Sequence, residues 1–313
     1  MRVMLTGANG FIGRALETRL LSSSEYELIP VVRHEIDGLK SAKWVGDIDG
    51  STQWSSVLDA VDVIIHTAAT VKAEKHSDSS PMSEFRRVNV EGTLNLARQA
   101  AQAGVRRFIF ISSIKVNGEL TLLGKPFTPD DRPLPQDSYG ISKYEAEVDL
   151  THLANETGMD VVIIRPPLVY GPGVKGNFAS MVRMLEKRIP LPLGTIHNKR
   201  SLVALDNLVD LIVTCIGHPG AANQIFLAGD GDDMSTTELL QRLGRALGKP
   251  ARLISLPARL LTFIAALLGK KAVAQRLCGS LQVDISKARE ILGWEPPITV
   301  DEGLRRAVEG FKN

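Results

Sequence analysis

A chain of 313 residues with 44% hydrophobic content can bury a sizeable core, in one large domain or in two unequal ones. Its formal net charge is +2, with charged residues scattered and no basic run, which argues against nucleic acid as a partner. Cys215 and Cys278 lie far apart without metal-ligand spacing, so no metal is expected and a reduced, cytoplasmic setting is the plain reading.

The first strand-like run starts at residue 2, which leaves no room for a signal peptide. It leads through Gly7-Ala8-Asn9-Gly10 into a helical pattern that begins at Phe11, with Ile12, Ala15, Leu16 and Leu20 on one face. In a strand–turn–helix, Gly7 allows the tight turn, Gly10 lets backbone approach a pyrophosphate, and Gly13 lets the helix pack against the sheet. The phosphates of a dinucleotide would sit on the unpaired amides and positive dipole end of that helix, with Asn9, Phe11 and Ile12 completing the turn.

Further strand-like runs recur at 27–32, 61–66, 107–112 and 161–165, with amphipathic stretches at 82–103 and 139–157 between them. Alternating strands and helices predict an α/β fold, a Rossmann-type doubly wound parallel sheet covered on both faces. Such sheets bind ligands beyond the carboxyl ends of their strands. There lie Gly7 after the first strand, Arg33 after the second, His66 to Ala69 after the fourth and Ser113 after the fifth.

Beyond Arg165 the texture changes. Pro166-Pro167, Gly171-Pro172-Gly173, Pro190 and Pro192 break the chain into short pieces around a helix near 178–188. Segments 201–205 and 224–228 read as strands returning to the large sheet, and the chain from Ser235 onward reads as largely helical. The expected division is a dinucleotide-binding domain over 1–170, rejoined by 200–230, and a smaller, mostly helical substrate-binding lobe over 171–199 and 231–313. One strongly apolar stretch, 260–268, is too short to span a bilayer. It reads as a buried or subunit-facing helix, with a peripheral membrane contact helped by Lys270 and Lys271 as the alternative.

Tyr139 and Lys143 are four residues apart on a predicted helix, so both lie on one face. A free phenol has a pKa of about 10, and a nearby ammonium is expected to pull it down and so activate it. Lys143 could also hydrogen-bond the nicotinamide ribose. Ser112-Ser113 sits where the fifth strand ends, at the height of the nicotinamide, and one hydroxyl there can hold a substrate oxygen beside the tyrosine.

With its Gly-x-x-Gly-x-x-Gly turn and Tyr139-Gly140-Ile141-Ser142-Lys143, the chain resembles the extended short-chain dehydrogenase/reductase family (NAD-dependent epimerase/dehydratase type), most of whose members act on nucleotide sugars. The resemblance covers nearly the whole chain. It implies an adenine contact at Asp47-Ile48 and a cofactor loop at His66-Thr67-Ala68-Ala69, with Thr70 following on the substrate side. It also implies a central helix motif at Asn89-Val90-Glu91-Gly92-Thr93 and an entry to the substrate lobe at 165–172, where Pro166 meets the cofactor. Carried over by position, Ser113 is the catalytic serine, Tyr139 the acid/base and Lys143 its partner, while Asn177 and Arg200 meet the nucleotide diphosphate. Plainer readings stand beside these: Asn89 as a helix–strand tie, His66 as a satisfied strand-end histidine, Arg200 as a surface arginine.

Members preferring NAD usually carry an acid after the second strand, where this chain has Arg33. An arginine there can receive a 2′-phosphate, so NADP(H) is favoured, with NAD(H) possible if Glu35 or Asp37 folds back to the ribose. Family dehydratases place an Asp-Glu pair where this chain has Ile114-Lys115, which speaks against a dehydratase. Lys115 is left either to touch the sugar or to reach solvent. The 112–118 segment, Ser-Ser-Ile-Lys-Val-Asn-Gly, is similar to bacterial 4-reductases of UDP-4-keto-6-deoxy-N-acetylhexosamines, which make surface-polysaccharide (O-antigen) sugars. The expected activity is therefore NADPH-dependent reduction at C4 of such a UDP-sugar. The alternatives are an NAD-dependent UDP-hexose 4-epimerase, a steroid or flavonoid alcohol dehydrogenase and, remotely, a non-catalytic NADP sensor. A homodimer is expected, pairing helices 82–103 and 139–157 from each subunit.

Overall fold

The computed structural model describes residues 1–35, 41–71, 80–267, 269 and 271–311, without the side chains of residues 265, 271 and 272. Asp37, Leu268 and Lys270 lie outside the described residues, as does the side chain of Lys271.

Seven parallel strands form the centre in the order β3-β2-β1-β4-β5-β6-β9. They are β1 (Arg2–Thr6), β2 (Glu27–Val32), β3 (Lys43–Trp44), β4 (Val63–His66), β5 (Arg107–Ile111), β6 (Asp160–Arg165) and β9 (Ile225–Leu227). The middle positions of the inner strands are apolar because both faces are covered, while Thr6, His66, Arg107 and Arg165 stand at strand ends. Alternate residues sort to opposite sides. Val3, Leu5, Ile65, Ile109 and Ile164 pack against Leu16 and Leu20 of α1 (Phe11–Leu21) and Leu208 and Ile212 of α6 (Leu205–Gly217). Met4, Ile64, Phe108 and Phe110 face Leu96 and Ala100 of α3 (Thr93–Gln102) and Ala146 and Leu150 of α4 (Ser138–Thr157).

The strand expected at 201–205 does not rejoin this sheet. β8 (Leu202–Ala204) pairs only with β7 (Leu168–Tyr170), in a separate two-stranded sheet. The outer edge of β6 is already taken by β9, through Ile163 opposite Ile225. β7 and β8 help to build a further core with α5 (Gly176–Glu186), α7 (Thr236–Ala246) and α11 (Val300–Glu309).

Two helical expectations also change. The stretch 82–103 is one helical run in three parts: α2 (Pro81–Phe85), a π-helical segment (Arg86–Gly92) and α3. The widened turn lies where the buried side chain of Asn89 bonds sideways to Thr70 and Ser142 instead of pointing to solvent. Gly92 closes it against residues 48 and 49. The apolar stretch at 260–268 lies on α8 (Ala258–Leu267), which is mostly exposed rather than buried. Only Ala258 and Leu261 of α8 reach the small-lobe core, which the other helices already fill. The remaining helices are α9 (Lys271–Cys278) and α10 (Ser286–Leu292). No helix among the described residues is long and apolar enough to cross a membrane.

A Cβ at position 92 would lie 2.9 Å from Ile48 Cγ2 and 3.0 Å from the Ile48 carbonyl oxygen. The Gly92→Ala protein is therefore expected to lose about 1–3 kcal/mol in urea unfolding, the ordinary cost of forcing a methyl into a packed contact.

Candidate active site

The glycine turn is shaped by contact. Gly7 has φ +68°, and a Cβ there would lie 2.8 Å from both Ala68 N and Thr67 Oγ1. At Gly13 a Cβ would fall 2.1 Å from the Gly7 carbonyl oxygen, so only glycine lets α1 start this close to the strand end. Gly10 precedes α1 and provides no side-chain cap, and the first turn carries no acid. The amides of Phe11, Ile12 and Gly13 thus open α1 with the positive end of the helix uncompensated by the chain, a cradle that suits a pyrophosphate. Asn9 is exposed at the rim, its carbonyl held by Arg14 Nε at 3.1 Å.

Around this turn stand the other cofactor candidates. Arg33 is exposed just past β2, with no side-chain bond or ion pair among the described residues. Asp47 is exposed, while Ile48 is buried against Gly92. Ala68 and Ala69 are half-buried after β4, and Pro166 is buried, its carbonyl accepting from Ile114 N at 3.0 Å. Thr70 is held by its backbone: its N donates to Asn89 Oδ1 at 2.9 Å and its O accepts from Asn89 Nδ2 at 3.0 Å. Asn89 Nδ2 also donates to Ser142 Oγ at 3.0 Å, so this residue is the tie between the β4 loop and α4. His66 is likewise internally satisfied, through Nδ1 to Thr6 Oγ1 (2.7 Å) and Nε2 to Thr93 Oγ1 (3.0 Å). Burial holds its pKa down at about 3, helped by Lys143, so the ring is neutral in the folded chain.

The proton-handling candidates meet at the start of α4. Asp137 caps the helix by accepting from Gly140 N at 2.7 Å, and Tyr139 follows in the first turn with Phe85 edge-on to its ring at 6.1 Å. One turn on, Lys143 is buried with Nζ 4.0 Å from the centre of the Phe110 ring. Ser113 is half-buried at the end of β5 and caps a short 3₁₀ turn, its Oγ accepting from Lys115 N at 3.3 Å.

The expected depression of the Tyr139 pKa is not found. Burial, and secondly the charge of Asp137, push the phenol up to about 12. Burial also brings Lys143 down to about 7, against an upward pull from Glu147. A lysine drawn partly toward its neutral form has less charge with which to favour a phenolate. The ammonium of Lys115 pairs with Asp137 and lies 3.8 Å from Glu119. A flexible cation beside a helix-capping carboxylate finds its partner there.

Two groups escaped the sequence reading. Asp137 could have been found as an N-cap residue ahead of Ser138-Tyr139. Glu147, one turn beyond Lys143, is buried with Arg165, and no local pattern marks that partner. The diphosphate candidates lie in the small lobe. Asn177 is exposed in the first turn of α5. Arg200 is half-buried, its Nη1 donating to the carbonyls of Arg276 (3.0 Å) and Gly279 (3.2 Å). Burial, then the charge of Arg276, lowers its pKa.

Residues 3–229 match the family described as NAD dependent epimerase/dehydratase family. The chain is 50% identical to a UDP-glucose 4-epimerase of Vibrio cholerae, covering 99% of this chain and 95% of that protein. It is 27% identical to an N-acetyl-alpha-D-glucosaminyl-diphospho-ditrans,octacis-undecaprenol 4-epimerase of Escherichia coli O157:H7, over 98% and 94% of the two. Among solved structures, the UDP-glucuronic acid 4-epimerase of Bacillus cereus in complex with NAD shares the fold, with TM-score 0.80 at 21% identity, covering 100% of this chain and 99% of that one.

His66 supplies a test of the site's packing. Its pKa is about 3 folded against 6.5 unfolded, so between these values the unfolded chain binds the extra proton and stability falls as pH drops. Urea midpoints measured from pH 7 down to 4 should decline, and less steeply in His66→Gln. Equal slopes for the two proteins would contradict the buried neutral ring.

Proposed function

This chain belongs to the NAD dependent epimerase/dehydratase family, and within it we propose that the protein is a 4-epimerase of a diphosphate-linked hexose, with a UDP-hexose as its first substrate. The observation that carries this reading is the 50% identity to the Vibrio cholerae UDP-glucose 4-epimerase along 99% of the chain. The sequence alone favoured a 4-ketoreductase, on the strength of the short 112–118 segment and Arg33. Likeness along the full length outweighs one segment and supports the alternative. The Escherichia coli relative acts on a sugar held by a polyprenyl diphosphate, so the diphosphate, more than the uridine, is the shared feature of the substrates.

The bound nicotinamide dinucleotide would supply the hydride acceptor and donor at sugar C4. The chain's own residues have three tasks. The α1 cradle from Gly7 to Gly13, with Asp47, Ile48, Ala68, Ala69 and Pro166 around it, holds the dinucleotide. Tyr139 takes the proton of the C4 hydroxyl as the keto sugar forms and returns it when the hydroxyl is restored. Ser113 hydrogen-bonds the same oxygen, and Lys143 sets the ribose beside the tyrosine. A phenol held near 12 by burial and Asp137 stays protonated at neutral pH, ready to donate to the C4 oxygen. Asn177 and Arg200 hold the diphosphate, with Thr70 on the sugar side, and the remote binding energy orients the ring.

Arg33 gives the reductase reading its remaining support, because a guanidinium past β2 with no partner among the described residues can receive a 2′-phosphate. Purified protein given UDP-glucose should form UDP-galactose, with no net change in nicotinamide absorbance. Stoichiometric NADPH oxidation with UDP-4-keto-6-deoxy-N-acetylglucosamine, and no interconversion of the hexoses, would establish the reductase instead. Tyr139→Phe should lower kcat by about a hundred- to ten-thousandfold with little change in KM; full turnover would remove the tyrosine from the chemistry. Arg33→Ala should weaken NADP binding by about ten- to a hundredfold in calorimetry and leave NAD unchanged. Equal loss for both would deny it the 2′-phosphate.

A further inference from the structure

Helix α8 turns its apolar stripe outward. Leu260, Phe263, Ile264 and Leu267 recur at i, i+3, i+4 and i+7, the spacing with which a helix packs on a core. Yet they are 45%, 61%, 39% and 72% exposed. The side of α8 that meets the small-lobe core is Ala258 and Leu261. Ile254, just before α8, and Val273 on α9 are exposed as well.

Charge frames this patch. Although the whole chain is nearly balanced, with 37 basic and 35 acidic residues, the stretch 239–283 holds eight Lys and Arg and no Asp or Glu, with Arg242 paired to Asp232 and Glu238 outside it. The charges are therefore not scattered, as whole-chain counts suggested, but segregated onto the segment that carries the exposed helix. Arg252, Arg259 and Arg276 are exposed, and none has an ion pair among the described residues. A second copy meeting this face across a two-fold axis would set like charges against one another. A surface of opposite sign suits it better.

We propose that α8 and its basic surround dock the small lobe onto an anionic lipid bilayer. The helix would lie in the interfacial plane, with Phe263 and Leu267 entering the boundary between headgroups and acyl chains and the arginines meeting lipid phosphates. At ten residues α8 lies on a membrane and does not span it. The C-terminal end of α9 then brings the surface close to Arg200, which donates to the carbonyls of Arg276 and Gly279. Docking would thus present the sugar-diphosphate site to substrates or products held at the membrane. That consequence rests on the role proposed for Arg200; the docking itself does not.

The test is flotation of the full chain with vesicles of phosphatidylglycerol and phosphatidylethanolamine, beside vesicles of phosphatidylcholine alone. Protein is read directly on a gel, so the result is independent of any assigned activity. Binding is expected to the anionic vesicles only, weakening as salt rises. The Phe263→Ser/Leu267→Ser protein, checked for folding by circular dichroism and melting, should bind about a hundredfold less. Failure to float with anionic vesicles would overturn the proposal, as would equal binding to phosphatidylcholine or undiminished binding by the double variant. A variant that instead converts a dimer to monomer in light scattering, with no effect on lipid, would give the face to a second copy of the chain.

Discussion

Glu147 and Arg165 meet in the interior almost wholly out of solvent, Arg165 Nη2 donating to Glu147 Oε2 at 2.5 Å and Nε reaching both carboxylate oxygens at 3.0 and 3.2 Å. The candidate site is assembled around this contact. Two charges taken from water are tolerable only when their remaining bonding capacity is filled. Ser112 Oγ does so for the carboxylate, donating at 2.5 Å, and Asn117 Oδ1 for the guanidinium, accepting at 2.9 Å. Ser112 and Asn117 flank the turn that carries Ser113 and Lys115. Glu147 sits one turn beyond Lys143, and Arg165 immediately precedes Pro166. One charge pair therefore locks the end of β5, the middle of α4 and the end of β6 in a fixed relation. Removing either partner would leave a buried charge, at a cost of about 3–5 kcal/mol.

The same low-dielectric interior sets the protonation states nearby. Lys143 is drawn toward neutrality by burial, and Glu147 limits the fall so that its pKa rests near 7. His66 lies on the same layer and stays neutral because its two hydroxyl partners replace water without adding charge. Tyr139 is held in the protonated form by burial and by Asp137. Asn89 completes the assembly from the other side, joining Thr70 to Ser142 between the tyrosine and the lysine. Asn89 lies within the π-helical segment, and Gly92 ends that segment in close contact with Ile48.

Elements whose pattern is local were legible in the sequence. The glycine turn, the inner strands and α4 could be read because turn chemistry, apolar runs and helical spacing each act within a few residues. What could not be read depended on partners far along the chain. Nothing near residue 202 reveals that the edge of β6 is occupied by β9, and nothing near Lys115 reveals that Asp137, 22 residues on, will take its charge. The spacing of Tyr139 and Lys143 gave their common face but not their pKa values, because burial depends on Phe85, Phe110 and the packed layer behind them. For α8 the apolar stripe was readable while its direction was not, since periodicity defines a face and says nothing of what lies opposite.

Most cations around Tyr139 are committed to partners within the fold. Arg165 is committed to Glu147, and Lys115 to Asp137 and Glu119, while Lys143 is half neutralised by burial. Lys115 is thereby tied to Asp137, the residue whose carboxylate caps α4. Arg33 beyond β2 has no partner among the described residues, and Arg200 keeps Nε and Nη2 without one there, with Arg276 close enough to lower its pKa. The exposed Arg276 beside the half-buried Arg200 raises the cost of charge there, which a bound anion would relieve. Selectivity for anionic groups would then be set at the ends of the bound molecules, leaving the middle, where Tyr139 and Ser113 work, free of competing charge.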